Sequence, residues 1–483
     1  MERSRSLGSR LLVLGSWLTV AAVVAAVVAV LLSGTDPANT SAPGYLGLAY
    51  AAAAVLLAVF LVGAFITRVD VGVLRGFPWL VGAVSLIVSW AAWLVVWLGH
   101  AELGGIVYRG LRVPMGMIQF WDLSLVLQSV DCASVGVDVY SAHNGCLQDP
   151  SIYAPGTLWL QWIPGIGNSH VQLLGVLMMI VSSFVLLVLA RWSVGLGQIV
   201  LLIAAVGAPW LLMLERGNMD AVVVWVAVAA VALVTRSPRL WAWSVAALLI
   251  WIVGTWKYYP FAMGLMLVPV LRLRRGWTLL AGFLLASLAF VALTWSNFVF
   301  SSSSNAAMID YGDTVVLGRV PVVARMLGTV VGAGGVQTGD VLVFLVVIAA
   351  LVWGIGYGLS VRPVPDGPSM LAVAGSVLFL ASVAVAGFGW GYKAVFLLLV
   401  VPLVSGTLGS SVRGLVVASF IVLALTAVSA VVVWNTVLAT TAGLVVSGFA
   451  LGAAGALLVR SLMRPGGEAL VGDVDVAAGD RID

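Results

Sequence analysis

Residues Gln119–Gln161 read QFWDLSLVLQSVDCASVGVDVYSAHNGCLQDPSIYAPGTLWLQ. This stretch decides the fold by contrast, because it is the heart of the longest interruption in a chain otherwise made of apolar runs. It gathers four of the 19 acidic residues (Asp122, Asp131, Asp138 and Asp149), both cysteines (Cys132 and Cys146) and His143, one of three histidines. Around it the composition leaves little room for a soluble fold. Of 483 residues, 62% are hydrophobic and 9% charged, where an ordinary globular chain carries about 25% charged residues. The expected class is an all-α polytopic membrane protein.

Working outward, a helix needs about 20 apolar residues to cross the hydrocarbon. Fourteen runs meet or approach that length: 11–33, 45–67, 79–99, 171–190, 196–214, 219–235, 240–256, 258–271, 277–296, 341–360, 369–387, 393–409, 413–434 and 437–459. The eighth and twelfth are short. The first exceeds the roughly 7–15 residues of a signal peptide's apolar region and reads as a retained anchor. The organisation that follows is a transmembrane hairpin over 1–78, a core over 79–409 with long loops at 100–170 and 297–340, and a second hairpin over 410–464. The tail, 465–483, has no apolar period and is expected to be disordered. Within the loops, 120–128 and 314–327 mix apolar and polar residues as short interfacial helices do.

Short loops rich in Arg or Lys stay cytoplasmic. With the N-terminus inside, 16 of the 23 basic residues fall on the cytoplasmic side, and Arg109, Arg112, Arg216, Lys257, Arg319, Arg325 and Lys393 fall outside. Both termini are then cytoplasmic, and both long loops face the exterior of a plasma membrane, the bacterial inner membrane. The net charge of +4 comes from scattered residues with no basic stripe, so no nucleic-acid partner is expected.

The chain has two lysines against 21 arginines. Codon bias accounts for the ratio but not for the places of the two lysines. Lys257 lies in GTWKYYPF and Lys393 in GFGWGYKAVF, each beside tyrosine at an outer helix end, where positive charge is disfavoured. One reading is a pair of snorkelling lysines anchored by interfacial aromatics; the other is a paired cationic site for a phosphate. LERGNMDAV places Glu215, Arg216, Asn218 and Asp220 in a tight turn between two spans. Glu215, Arg216 and Asp220 either pair with one another in an exposed turn or face a substrate, and Asn218 or Asp220 can also cap the next helix. Asp122, Asp131 and Asp138 read equally as loop or capping acids. Cys132 and Cys146 lie 14 residues apart in a loop placed outside, where disulfides persist, so a bridge is expected, with two unpaired thiols as the alternative.

The histidines lack metal-ligand spacing with one another, and neither HExxH nor CxxC occurs. Neither a Walker-type loop nor a GxGxxG at a strand-to-helix boundary is present, which argues against a nucleotide-driven mechanism. No metal and no cofactor are expected. The 54 glycines read as small residues that let membrane helices approach closely.

These motifs together resemble a family. Asp122 and Leu123, then Gly136 and Tyr140 in GVDVY, then Tyr153 and Pro155 in YAPG, are similar to the first outer loop of GT-C glycosyltransferases of family 87. These are multi-spanning enzymes that use polyprenyl-phosphate sugars and include actinobacterial mannosyltransferases. The ERGN turn (Glu215–Asp220), KYYP (Lys257–Pro260) and GYK (Gly391–Lys393) look similar to polar motifs of related membrane proteins. The resemblance covers roughly residues 79–400. The two additional N-terminal spans, the insert between the cysteines, and Lys393 where Arg would be expected are departures.

The resemblance implies a GT-C-like core and an inverting, metal-independent transferase. Its donor would be a polyprenyl-phosphate sugar, and its acceptor a glycolipid or polysaccharide of the cell envelope. Asp122 matches the place of the family's loop base, with Asp131 as a second catalytic candidate. Arg216, Lys257 and Lys393 would hold the donor phosphate, and Asn218, Asp220, Tyr140, Tyr153, Tyr258, Tyr259 and Tyr392 would contact substrate. The rival expectations are a transporter or lipid flippase for an envelope precursor, and a non-catalytic scaffold.

Overall fold

The structure is a computed structural model and describes residues 77–97, 119–141, 145–147, 150–151, 153–299, 338–360, 366–386, 391–407, 417, 421 and 433–463. The expected spans at 11–33 and 45–67, most of 413–434, the interfacial piece 314–327 and the tail lie outside these residues. The described chain is helical, with no strand among the described residues.

The elements run α1 (Phe77–Trp97), α2 (Trp121–Ser134), a 3-10 segment Pro155–Trp162, a 3-10 turn Asn168–His170, α3 (Val171–Trp192), α4 (Leu196–Ala205), α5 (Ala208–Arg216), α6 (Asp220–Arg236) and α7 (Leu240–Lys257). A long 3-10 run, Tyr259–Arg272, leads to α8 (Gly276–Leu293), α9 (Thr338–Ser360) and α10 (Asp366–Ala386). A second 3-10 run, Gly391–Val400, continues into α11 (Val401–Thr407), and α12 (Val433–Leu462) closes the order. By length and composition four of these helices can cross a membrane: Asn168–Trp192, Leu240–Lys257, Gly276–Leu293 and Gly443–Leu462. The run predicted as a single span at 196–214 is instead a pair, α4 and α5, bent by 46° where Pro209 follows the break; counted together they make a fifth.

The two runs that looked short as α-helices both take the tighter 3-10 form. At a rise of about 2.0 Å per residue, the 14 residues of Tyr259–Arg272 extend about 28 Å. Gly391–Val400 with α11 reaches about 30 Å by the same arithmetic. Either length matches a hydrocarbon core of about 30 Å. Pro269 inside the first run withholds an N–H that a regular α ladder needs, whereas Pro260 stands in the first turn, where the N–H has no partner within the helix.

The core is a single apolar cluster drawn from most of the elements, pinned by a few buried polar pairs. Trp210 Nε1 donates to Ser85 Oγ (2.8 Å), Ser85 and Ser183 bond through their hydroxyls (3.0 Å), and Trp225 Nε1 donates to Ser182 Oγ (3.0 Å). These tie α1, α3, α5 and α6 together and give both indole N–H groups an acceptor within the bundle. α9 and α12 meet backbone to backbone: a Cβ at Gly354 would stand 2.0 Å from the Phe449 carbonyl oxygen, and one at Gly452 2.2 Å from that of Leu351. α8 is peripheral, with only 17% of its most apolar window buried. Leu284, Leu285 and Leu288 point outward from it, an arrangement costly in water and neutral in lipid.

Candidate functional site

The C-terminal ends of α5 and α7 and the N-terminal ends of α2, α6 and both long 3-10 runs meet at one end of the bundle, and the charged side chains of the core collect there. The ERGN turn is built first. α5 ends in a Schellman motif, with Asn218 N–H donating to the Met213 carbonyl and Gly217 N–H to that of Leu214, both at 3.0 Å. Gly217 takes the left-handed conformation (φ 59°) that the motif requires. A Cβ there would lie 2.9 Å from Leu123 Cβ and 3.2 Å from Phe120 Cβ, so the absent side chain also lets α2 sit against the turn.

Asp122 is positioned by Phe120. That residue is itself left-handed (φ 58°) and buried, its N–H donates to the Glu215 carbonyl at 2.8 Å, and its ring packs against Gly175 of α3. The reversal starts α2 and places Asp122 in its first turn, where a carboxylate complements the helix dipole. Asp122 Oδ2 accepts from Asn218 Nδ2, and Oδ1 faces Arg216 Nη1 at 3.6 Å. Arg216 Nε lies 3.7 Å from Glu215 Oε2.

Behind this pair stands Asp220, fully buried at the start of α6. Lys257 Nζ donates to its Oδ1 at 2.8 Å and Lys393 Nζ to its Oδ2 at 2.6 Å; Tyr259 O–H also donates to Oδ1. Lys393 Nζ reaches the Tyr259 hydroxyl oxygen at 3.2 Å and sits over the Tyr259 and Phe396 rings at 4.6 and 5.8 Å. Lys257 Nζ donates in addition to Asn218 Oδ1 at 2.8 Å, which links the inner group to Asp122. In all, three acids (Asp122, Glu215, Asp220) meet three cations (Arg216, Lys257, Lys393). Charges this deep are tolerated because they are paired and hydrogen-bonded.

The KYYP motif owes its geometry to Tyr258, whose φ of 45° is unusual for a bulky side chain. The reversal between α7 and the 3-10 run turns Lys257 and Tyr259 toward Asp220. Tyr258 goes the other way, packing on Phe290 and Phe298, with its hydroxyl 3.4 Å from the Thr294 carbonyl oxygen. YAPG docks on the end of α7: the Ala154 N–H donates to the Trp256 carbonyl at 3.1 Å, and a Cβ at Gly156 would strike Thr255. This brings the Tyr153 ring within 5.4 Å of Lys257 Nζ. Tyr140 O–H donates to the Tyr153 carbonyl at 3.1 Å. Burial first, then the neighbouring Tyr258 and Asp138, pushes the Tyr140 phenol above the usual tyrosine range, so it stays a neutral donor.

Of the predicted site residues, the structure brings Asp122, Arg216, Asn218, Asp220, Lys257, Tyr259 and Lys393 into one hydrogen-bonded group, with Tyr153 against it and Tyr140 behind Tyr153. Two residues are placed elsewhere. Asp131 lies about 13 Å along α2 from Asp122 and accepts the Asn168 N–H at 2.9 Å, holding the turn before α3. Tyr258 faces α8. Tyr392 opens a 3-10 run, but its side chain lies outside the described residues. Cys132 and Cys146 form a disulfide with Cα atoms 6.0 Å apart, fixing the loop after α2. α2, expected as an interfacial helix, is largely buried.

Sequence reasoning missed the backbone reversals at Phe120 and Tyr258, which orient the site yet carry no glycine to announce them. It also missed Asp220 as the shared partner of both lysines; its place one residue after Met219 at a predicted span boundary resembles an ordinary cap. Among the described residues no group of three or more His, Cys, Asp or Glu is placed to hold a metal ion. Comparison with protein-family models, curated proteins and solved structures finds none that this chain matches.

Proposed function

We propose that this chain is a GT-C-type membrane glycosyltransferase, resembling family 87, that moves a sugar from a polyprenyl-phosphate donor to an envelope glycolipid or polysaccharide. The reaction faces the exterior of the plasma membrane. The observation that carries the reading is the partly open carboxylate of Asp122, held between Asn218 and Arg216 in front of a cationic group. Asp122 takes the proton from an acceptor hydroxyl. The hydroxyl oxygen then forms a bond to the anomeric carbon, and the bond from that carbon to the phosphate oxygen breaks with inversion. The lipid phosphate departs with the electron pair and one more negative charge, and the proton passes from Asp122 to water. A sugar phosphate has a good leaving group, so a second, protonated carboxyl is not required; what it needs is a base and stabilisation of the departing charge. Arg216 and Lys257 are the more open cations, with side chains 19% and 12% exposed, and supply that stabilisation. Lys393, 6% exposed behind Asp220, balances charge and does not face the donor.

The test is to supply membranes containing the protein with a labelled panel of polyprenyl-phosphate mannose, arabinose and glucose, comparing native chain with Asp122→Asn. The expected outcome is transfer from one donor, lost by about 100- to 10,000-fold in the variant, the range over which general-base catalysis acts. Undiminished transfer in the variant would remove the assignment. One observation favours a second reading, a transporter or flippase: Asp220, Lys257 and Lys393 form an ionisable group deep between helices, as transporters often have. That reading predicts substrate movement across vesicles without any new glycosidic bond.

A further inference from the structure

The Asn218 side-chain amide has two chemically different ends, and the cluster leaves it one orientation. Its oxygen accepts from two donors that have no acceptor function, Lys257 Nζ at 2.8 Å and the Asp220 backbone N–H at 2.9 Å. A reversed amide would aim its N–H2 at both and leave each without that acceptor inside a buried site. The amino end is therefore directed outward, and it donates to Asp122 Oδ2. Lys257 is itself held by Asp220 Oδ1, and Asp220 by Lys393 and Tyr259. The order of support runs from the buried acid to the lysine, to the amide, to the open carboxylate. Oδ2 accepts from the amide, and Oδ1 lies 3.6 Å from Arg216 Nη1.

From this geometry we infer that Asn218 is a positioning residue for Asp122, its amide locked by Lys257 and Asp220, so that Asn218 and Asp220 act on the base and do not bind substrate. The inference rests on the reading of Asp122 as base. Its consequence is a division of labour across the five residues from Arg216 to Asp220: Arg216 meets the ligand, Gly217 gives α2 room, Asn218 aims the carboxylate, and Asp220 fixes the amide through Lys257. Aiming matters because a displacement of about 1 Å at a reacting group can cost on the order of 100-fold in rate.

The test measures sugar transfer by membranes containing native chain, Asn218→Ala, Asn218→Asp and Asp122→Asn, at varied concentrations of the donor that the native chain uses. Asn218→Asp keeps the size and shape of the side chain but presents an oxygen to Asp122 where the amide presented N–H, so it separates aiming from packing. Amounts of folded protein are matched by detergent-solubilised size-exclusion profiles. The expected result is a fall of about 10- to 100-fold in kcat for both Asn218 variants, with the donor KM within about twofold of native. A raised donor KM with kcat unchanged would overturn the inference in favour of direct substrate contact. Native kcat in Asn218→Asp, with transfer lost in Asp122→Asn, would overturn it while leaving the base in place. Transfer retained in Asp122→Asn would remove the base and this inference together.

Discussion

At the scale of single residues, the site can be probed at one backbone position and one hydroxyl. Gly217 is left-handed, and a Cβ added to it would lie 2.9 Å from Leu123 and 3.2 Å from Phe120. Gly217→Ala is therefore expected to cost about 1–2 kcal/mol from conformation alone and to push α2 outward, carrying Asp122 away from Asn218. A thermal melt combined with a transfer assay checks both effects, and activity should fall more than stability does. Tyr259 gives a cleaner probe, because removing one oxygen changes little volume. Its hydroxyl donates to Asp220 and accepts from Lys393, and Tyr259→Phe should lower stability by about 1.5–3 kcal/mol, the range for hydrogen bonds to charged groups. A melting midpoint unchanged from native would mean that the buried carboxylate does not rely on it. Residue types were readable in advance: Lys257 and Lys393 stood out because they occur where positive charge is disfavoured. Their partner did not stand out, since an aspartate at a helix start is what capping alone would place there.

Elements were legible where apolar length and helix length coincide. The runs expected at 171–190, 219–235 and 240–256 appear as Val171–Trp192, Asp220–Arg236 and Leu240–Lys257. Where prolines and glycines intervene, apolar length mispredicts: 196–214 splits at Gly207 and Pro209, and the short eighth and twelfth runs gain reach by 3-10 winding. The expected bridge is present, tying the C-terminal end of α2 to the loop behind it. Closing a loop of this size contributes about 3 kcal/mol on the chain-entropy estimate. Cys132→Ser, Cys146→Ser and the double variant should all melt lower by a similar margin, and added reductant should bring native protein down to the same midpoint. An additive loss in the double variant would indicate two independent thiols. Where α9 packs on α12, Gly452→Leu should force the two helices apart, because even a Cβ there meets the Leu351 carbonyl oxygen at 2.2 Å. Loss of folded protein in detergent is the expected readout, whereas Gly455→Leu, at a position with open space, should be tolerated.

For the molecule as a whole, the composition identified a membrane bundle, and the polar motifs identified the segments that meet, but not the manner in which they meet. Sequence order separates Asp122, Asp220, Lys257 and Lys393; the bundle brings them together because antiparallel connections return α5, α6, α7 and the 3-10 runs to the same end. Pairing is what permits the burial. Removing one member of a buried ion group costs about 3–5 kcal/mol because its partner stays charged in a poorly solvating interior. Asp220 is bonded to Lys393, 173 residues away, so this one carboxylate joins the early and late parts of the fold. The most direct measurement is the thermal unfolding midpoint, in detergent, of Asp220→Asn, Lys393→Met and the double variant. Asp220→Asn alone leaves two lysines facing each other and should lose most stability. Adding Lys393→Met restores the charge balance of the inner group and should recover at least half of that loss. A double variant as unstable as the sum of its two parts would contradict the existence of a single coupled cluster, and with it the account of the site.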